Sequence, residues 1–103
     1  MEDGDAGDIH AHGIVLDIGE GVGALVIYTK PTLEGLEIEV SRTDDDADRV
    51  HTEVLERLVR GQPVFAAVFA ALPEGAYRVW THDPQLPGLA TIRGGQVAEL
   101  DWR

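Results

Sequence analysis

The 103-residue chain contains no cysteine. It can therefore form neither a disulfide framework nor a thiolate nucleophile, and small secreted domains usually depend on disulfides. The start, residues 1–13, has neither the basic segment nor the apolar segment of a signal peptide. No apolar run approaches the roughly 20 residues that span a bilayer. We therefore expect a cytoplasmic protein with no membrane partner.

Positive charge is scarce. One lysine, Lys30, and seven arginines face 19 acidic residues, which gives a formal net charge of −11. Binding to a phosphate backbone needs clustered cations, so nucleic acid is not an expected partner. Such an excess of acid either keeps a protein in solution or attracts cations and basic partners.

Motifs that would indicate a defined chemistry are also missing. The sequence has no nucleophile elbow, phosphate-binding loop or zinc-protease motif. Residues 15–23, VLDIGEGVG, resemble the strand and glycine-rich turn of nucleotide-binding folds. Residues 24–29, ALVIYT, continue as a strand pattern rather than as the required helix. We therefore expect a glycine-rich β-turn here and no cofactor.

The sequence does contain a regular series of short strand patterns. The apolar Leu36, Ile38 and Val40 alternate with polar residues, and residues 22–29 are apolar on both faces. Further strand patterns cover residues 14–18, 64–72, 77–80, 89–92 and 97–102. They predict an all-β, single antiparallel β-sandwich of about seven or eight short strands. Residues 1–8 are predicted to be a disordered acidic tail, and residues 9–103 the sandwich domain.

The stretch Phe65–Trp80 is predicted to be the central hairpin of this sandwich. An apolar run leads into Pro73-Glu74-Gly75, where proline presets one turn position and glycine allows unusual backbone angles. A second hairpin is predicted across Gly94-Gly95. The run at 64–72 has small alanines, which predicts a strand with close neighbours on both sides.

Residues 50–60, VHTEVLERLVR, are ambiguous. Their apolar residues lie at helical spacing, and Gly61 follows as a helix stop would. The neighbouring elements on both sides are strand patterns, and a hairpin with the next run would fit an antiparallel meander. We predict a strand, with a helix as the alternative.

Residues 69–79, FAALPEGAYRV, carry a family resemblance. They resemble the Phe-x-x-Leu-Pro-x-Gly-x-Tyr-x-Val signature of the carboxypeptidase regulatory-like and transthyretin-like sandwiches, and residues 94–100 resemble the hairpin that follows it. The resemblance implies an immunoglobulin-like or transthyretin-like sandwich with Phe69 and Tyr77 in one core. It also implies a scaffold or accessory module and no particular chemistry.

Histidines are the candidate metal ligands. His10 and His12 project to one side of an extended segment, and with His51 or His82 they form a candidate open metal site. Residues 12–17, HGIVLD, also resemble the N-terminal histidine motif of the hydroxyisourate hydrolases. Those enzymes carry a C-terminal Tyr-Arg-Gly-Ser, whereas this chain ends in residues 100–103, LDWR.

Asp44, Asp46 and Asp48 match the first ligand positions of a calcium loop. Arg49 stands where the loop needs glycine, and Leu55 where it needs the closing glutamate. A weak cation site or a solvated acidic loop remain the two interpretations.

The sequence thus predicts a non-enzymatic β-sandwich module that acts by protein–protein contact, with a partner protein or as a homo-oligomer through a strand edge or apolar patch. The alternative is a small metal-binding or hydrolytic protein that uses His10 and His12. The two differ in whether these histidines and a third ligand converge.

Overall fold

A computed structural model describes residues 16–81 and 88–103 of the chain. In this part of the chain two four-stranded sheets pack together, and the predicted all-β sandwich is confirmed. No helix in these ranges is both long and apolar enough to cross a membrane. The strands are β1 (Val22–Thr29), β2 (Glu37–Arg42), β3 (Arg49–Glu53), β4 (Leu55–Val59), β5 (Gln62–Pro73), β6 (Gly75–Trp80), β7 (Leu89–Ile92) and β8 (Val97–Asp101), with a 3₁₀ turn at Pro31–Leu33.

The strands are ordered β4-β5-β1-β8 in one sheet, here called the β1 sheet, and β3-β2-β6-β7 in the other, the β2 sheet. β5 lies between β4 and β1, as the small alanines of its sequence predict. All strand pairs are antiparallel except β1 and β8, which run parallel. That parallel pair departs from the purely antiparallel sandwich of the prediction.

The stretch Phe65–Trp80 forms two strands as predicted, but they do not form a hairpin. β5 belongs to the β1 sheet and β6 to the β2 sheet, so Pro73-Glu74-Gly75 carries the chain across the sandwich. The predicted hairpin across Gly94-Gly95 is wrong for the same reason, since β7 and β8 lie in different sheets. An inter-sheet corner and a hairpin both need a tight turn between two strands with core-facing residues, so their sequence patterns are alike.

Residues 50–60 are extended, and the alternative helix is wrong. The segment holds two strands, because β3 ends at Glu53 in the β2 sheet and β4 begins at Leu55 in the β1 sheet. Val54, between them, is fully buried. The apparent helical spacing arises because the chain passes from one sheet to the other within this segment. Val54 is buried at the point of passage, and the strands on either side of it are the outer strands of their sheets.

Leu16, Asp17 and Ile18 lie outside the named strands, so the strand predicted at 14–18 is wrong over this part. In this segment the Asp17 amide donates to the Ala70 carbonyl at 3.0 Å, and an isolated bridge joins Gly19 and Val22. The predicted acidic tail at 1–8, and residues 9–15, lie outside the described residues.

The core lies between the two sheets. Phe69 and Tyr77 are both buried in it, as predicted, and Leu72 packs with them. Burying a side chain of this size stabilises the fold by about 1.5–3 kcal/mol each. The other core residues are Leu25, Ile27, Ile38, Val40, Val54, Ala67, Val79, Ile92 and Trp102.

Candidate functional site

Of the predicted metal ligands, His51 lies in the described part of the chain. It is on β3, exposed, with its Nδ1 3.1 Å from Glu37 Oε2. Among residues 16–81 and 88–103, no three His, Cys, Asp or Glu side chains form a group that could hold a metal ion. His10, His12 and His82 lie outside the described residues, so the metal site stays a prediction.

The aspartates of the predicted cation loop connect β2 to β3 and are exposed. Arg42 Nε lies 3.8 Å from Asp44 Oδ1, and Arg78 Nε lies 3.7 Å from Asp46 Oδ1. Arginines thus lie beside two of the three aspartates. Exposed pairs of this kind stabilise a fold by less than about 1 kcal/mol.

Trp80 lies on the outer face of the β2 sheet, away from the core. Its indole Nε1 donates a hydrogen bond of 3.0 Å to Ser41 Oγ. The Arg49 guanidinium lies 3.8 Å from the centroid of the indole ring and donates to Glu39 Oε1 at 3.0 Å. Trp80 is therefore held in a cation–π stack on the surface.

An open groove of about 520 Å³ lies beside this stack. We call it the Trp80 groove. Leu36 and Trp80 give it apolar surface, and Glu37 and Glu39 give it two carboxylates. Its lining residues are Leu36, Glu37, Glu39, Arg49, Trp80 and Thr81.

Two glutamates stand directly opposite each other next to the groove. In the β2–β3 register Glu37 pairs with Glu53, and both side chains are exposed. Side chains directly opposite in an antiparallel pair have Cβ atoms about 5 Å apart, and like charges there are destabilising. This pair depends on the register of two strands, so sequence reasoning could not find it.

A second surface lies at the edge where β3 and β4 are the outer strands of their sheets. Val50, Leu55 and Leu58 are exposed there, with 45%, 43% and 49% of their surfaces in solvent. We call these three residues the β3–β4 edge. The core of the sandwich is thus least covered along this side.

The β3–β4 edge continues into a part of the chain with few acidic residues. Residues 54–73 contain two arginines, Arg57 and Arg60, and one glutamate, Glu56, for a net charge of +1 in a chain of −11. Arg57 Nε donates to the Ala66 carbonyl at 3.2 Å, and burial lowers the Arg57 pKa. A second acidic molecule can approach this stretch with little repulsion.

The opposite edge of the β1 sheet, β8, is acidic. Arg103 donates to both carboxylate oxygens of Asp101, at 2.9 and 3.0 Å, and these hydrogen bonds lower the Asp101 pKa to about 2. Tyr28 donates to Glu99 Oε2 at 2.9 Å. Burial, and then this glutamate, raise the Tyr28 pKa. Charged groups on an edge strand discourage pairing with another chain. β8 carries two acids, whereas the two charged residues of β4, Glu56 and Arg57, have opposite signs.

Comparison with known proteins gives no relative: no family model, no curated protein and no solved structure matches the chain.

Proposed function

We propose that this chain is a non-enzymatic β-sandwich module that acts by protein–protein contact and associates with a second copy of itself through the β3–β4 edge. One observation carries the proposal. Of the four large hydrophobic side chains that are exposed in the described part of the chain, three lie on β3 and β4. Exposed apolar side chains gathered on one side are typical of a contact surface.

The backbone supports a contact of this kind. β4 is hydrogen-bonded to β5 on one side and is the last strand of its sheet on the other. Its sequence, LERLV, has neither proline nor lysine, and its two charged residues, Glu56 and Arg57, have opposite signs. A second copy can add its own edge strand here and cover Leu55 and Leu58.

Charge supports a second copy at this edge over other positions. Two molecules of charge −11 repel wherever their acidic surfaces meet. Screening at physiological salt limits that repulsion to about 8 Å, so the local charge of the contact decides its cost. The +1 charge of residues 54–73 keeps this cost low at the β3–β4 edge, where the exposed Leu55 and Leu58 supply the apolar contact.

The proposal includes the resemblance to the carboxypeptidase regulatory-like and transthyretin-like sandwiches. Two four-stranded sheets, with Phe69 and Tyr77 in a shared core, support it. Such sandwiches serve as scaffold or accessory modules, which agrees with a contact function.

The experiment compares two leucine-to-lysine variants by sedimentation velocity over a wide range of protein concentrations. Leu58→Lys places a charge on the β3–β4 edge, and Leu89→Lys places one on β7, at the opposite edge of the β2 sheet, where Leu89 is 66% exposed. We expect the wild type and Leu89→Lys to dimerise with rising concentration and Leu58→Lys to remain monomeric. Circular dichroism checks that both variants fold.

Two outcomes contradict the proposal. In one, the wild type stays monomeric at every concentration. In the other, Leu89→Lys abolishes the dimer and Leu58→Lys does not, which moves the contact to β7.

A further inference from the structure

The Trp80 groove and its rim carry more negative charge than their own cations offset. Three carboxylates lie on neighbouring positions of β2 and β3: Glu37, Glu39 and Glu53. Arg49 pairs with Glu39 at 3.0 Å. The remaining partner is His51, next to Glu37 at 3.1 Å, and an imidazole offsets charge only when it is protonated.

The repulsion between the opposed Glu37 and Glu53 is not offset by burial of either side chain. Both side chains are exposed, and neither belongs to the core. Functional sites are places where local choices conflict with the fold, so this destabilising surface pair marks a candidate binding site. A cation placed between the two carboxylates removes the conflict.

The surroundings favour an organic cation over a metal ion. No three metal-ligating side chains converge within residues 16–81 and 88–103. The groove instead combines carboxylates with the apolar surfaces of Leu36 and Trp80. This combination matches lysine and arginine side chains, because their hydrocarbon stems pack on apolar surface while the charged heads pair with acids.

Anionic ligands do not fit the same groove. Its cation, Arg49, already donates to Glu39 Oε1 and to the Asp46 carbonyl. The neighbouring Arg78 lies 3.7 Å from the Asp46 carboxylate. A phosphate or carboxylate would meet the carboxylates already paired with these arginines and would have to approach a molecule of charge −11.

We propose that the Trp80 groove, with Glu37 and Glu53 on its rim, binds a lysine or arginine side chain of a basic segment of a partner protein. The net charge of the chain steers a basic segment toward the surface, and the carboxylates and the indole fix its position. The groove lies on the outer face of the β2 sheet, so it can work whether or not the β3–β4 edge associates with a second copy.

The test follows binding of a lysine-rich peptide by NMR. Trp80 and Trp102 are the two tryptophans, so the indole Nε1–H signals distinguish the groove from the core. The double variant Glu37→Gln/Glu53→Gln removes two negative charges from the rim. The control, Asp17→Asn/Glu20→Gln, removes two exposed negative charges elsewhere on the surface.

We expect the peptide to shift the Trp80 indole signal in the wild type. Loss of the rim carboxylates weakens binding by about tenfold or more, as for other charge pairs at interfaces. The control weakens it by less than about twofold, since only the screened long-range field changes. The Leu58→Lys variant binds the peptide as the wild type does, which separates this proposal from self-association.

Three results overturn the inference. If the two double variants weaken binding equally, the attraction is not local to the rim. If the peptide binds without shifting the Trp80 signal, it binds elsewhere. If spermine binds the groove more tightly than the peptide, the ligand is a free polyamine rather than a protein segment.

Discussion

The phenol oxygen of Tyr77 donates a hydrogen bond of 2.7 Å to the backbone carbonyl of Pro73. The two residues flank the corner that takes the chain from β5 in one sheet to β6 in the other. Tyr77 is 3% exposed, and the Arg42 guanidinium lies 5.9 Å from its ring centroid. One side chain thus packs in the core and also fixes the corner.

Replacing Tyr77 by phenylalanine keeps the ring and removes this hydrogen bond. We expect Tyr77→Phe to lower the free energy of unfolding by about 1 kcal/mol, since the Pro73 carbonyl loses a partner. Urea denaturation measures the change. Tyr28→Phe is the control, because the Tyr28 hydroxyl bonds an exposed carboxylate and its loss has a smaller effect. Equal changes in the two variants would show that the corner bond is unimportant.

Alkaline pH tests the same phenol in another way. Burial raises the Tyr77 pKa above its ordinary value of 10.0, the largest effect, while Arg42 lowers it. A raised pKa means that the protonated phenol stabilises the fold fully below pH 10 and that this contribution is lost as pH rises through the folded-state pKa. The melting temperature of the wild type should therefore fall more steeply above pH 10 than that of Tyr77→Phe. Parallel curves for the two proteins would contradict this.

The turn between β4 and β5 contains an unfavourable residue. Arg60 has φ of 54° and Gly61 φ of 77°, the left-handed pair of a two-residue hairpin turn that favours Asn-Gly. Arg60→Asn should raise the free energy of unfolding by about 0.5–1 kcal/mol, because asparagine adopts the left-handed conformation at lower cost. Chemical denaturation is the measurement. Arg93→Asn, the same change at an exposed arginine without positive φ, should have little effect.

Gly23 in β1 has no room for a side chain. A Cβ there would meet the Arg93 carbonyl oxygen, with Ile92 Cγ2 at 2.8 Å. Gly23→Ala should lower the free energy of unfolding by about 1–3 kcal/mol, the usual cost of overpacking. Gly19→Ala is the matched control, since no atom lies within 4 Å of its Cβ. The melting temperatures of the two variants measure the difference, and equal values would show that the β7–β8 turn moves away freely.

The carboxylate of Asp101 is expected to titrate far below an ordinary aspartate. Its pKa is about 2, mainly because the Arg103 side chain hydrogen-bonds the ionised form. Arg103→Ala should therefore raise this pKa toward 3.8, the ordinary aspartate value. Carbon-detected NMR titration of the Asp101 side chain measures it. An unchanged midpoint would assign the shift to something other than Arg103.

Local patterns predict the strands well. Ile38 and Val40 face the core, as their alternation with Glu37 and Glu39 indicates, because a period of two assigns one face inward. The apolar run at 64–72 lies within β5, which has a paired strand on each side, as its small alanines predict. Such patterns indicate which face of β2 is buried and that residues 64–72 form a strand, but they misplace the strand predicted at 14–18.

These patterns do not determine which strands pair with each other. β5 and β6 lie in different sheets instead of pairing, and β8 pairs with β1, whose residues are distant in sequence. The candidate site depends on the same long-range choices. Glu37 meets Glu53, and Trp80 meets Arg49, only once β3, β2 and β6 lie side by side in this register.

The parallel pairing of β1 with β8 has a consequence for how the chain is made. Ala24 is opposite Val97, and Tyr28 is opposite Asp101, so β1 emerges from the ribosome long before its neighbour exists. Contacts this distant in sequence slow folding, because the chain must close a long loop before they form. Until β8 arrives, the flank of the largely buried β1 that faces away from β5 has no strand to pair with, so the nascent protein exposes that flank during synthesis.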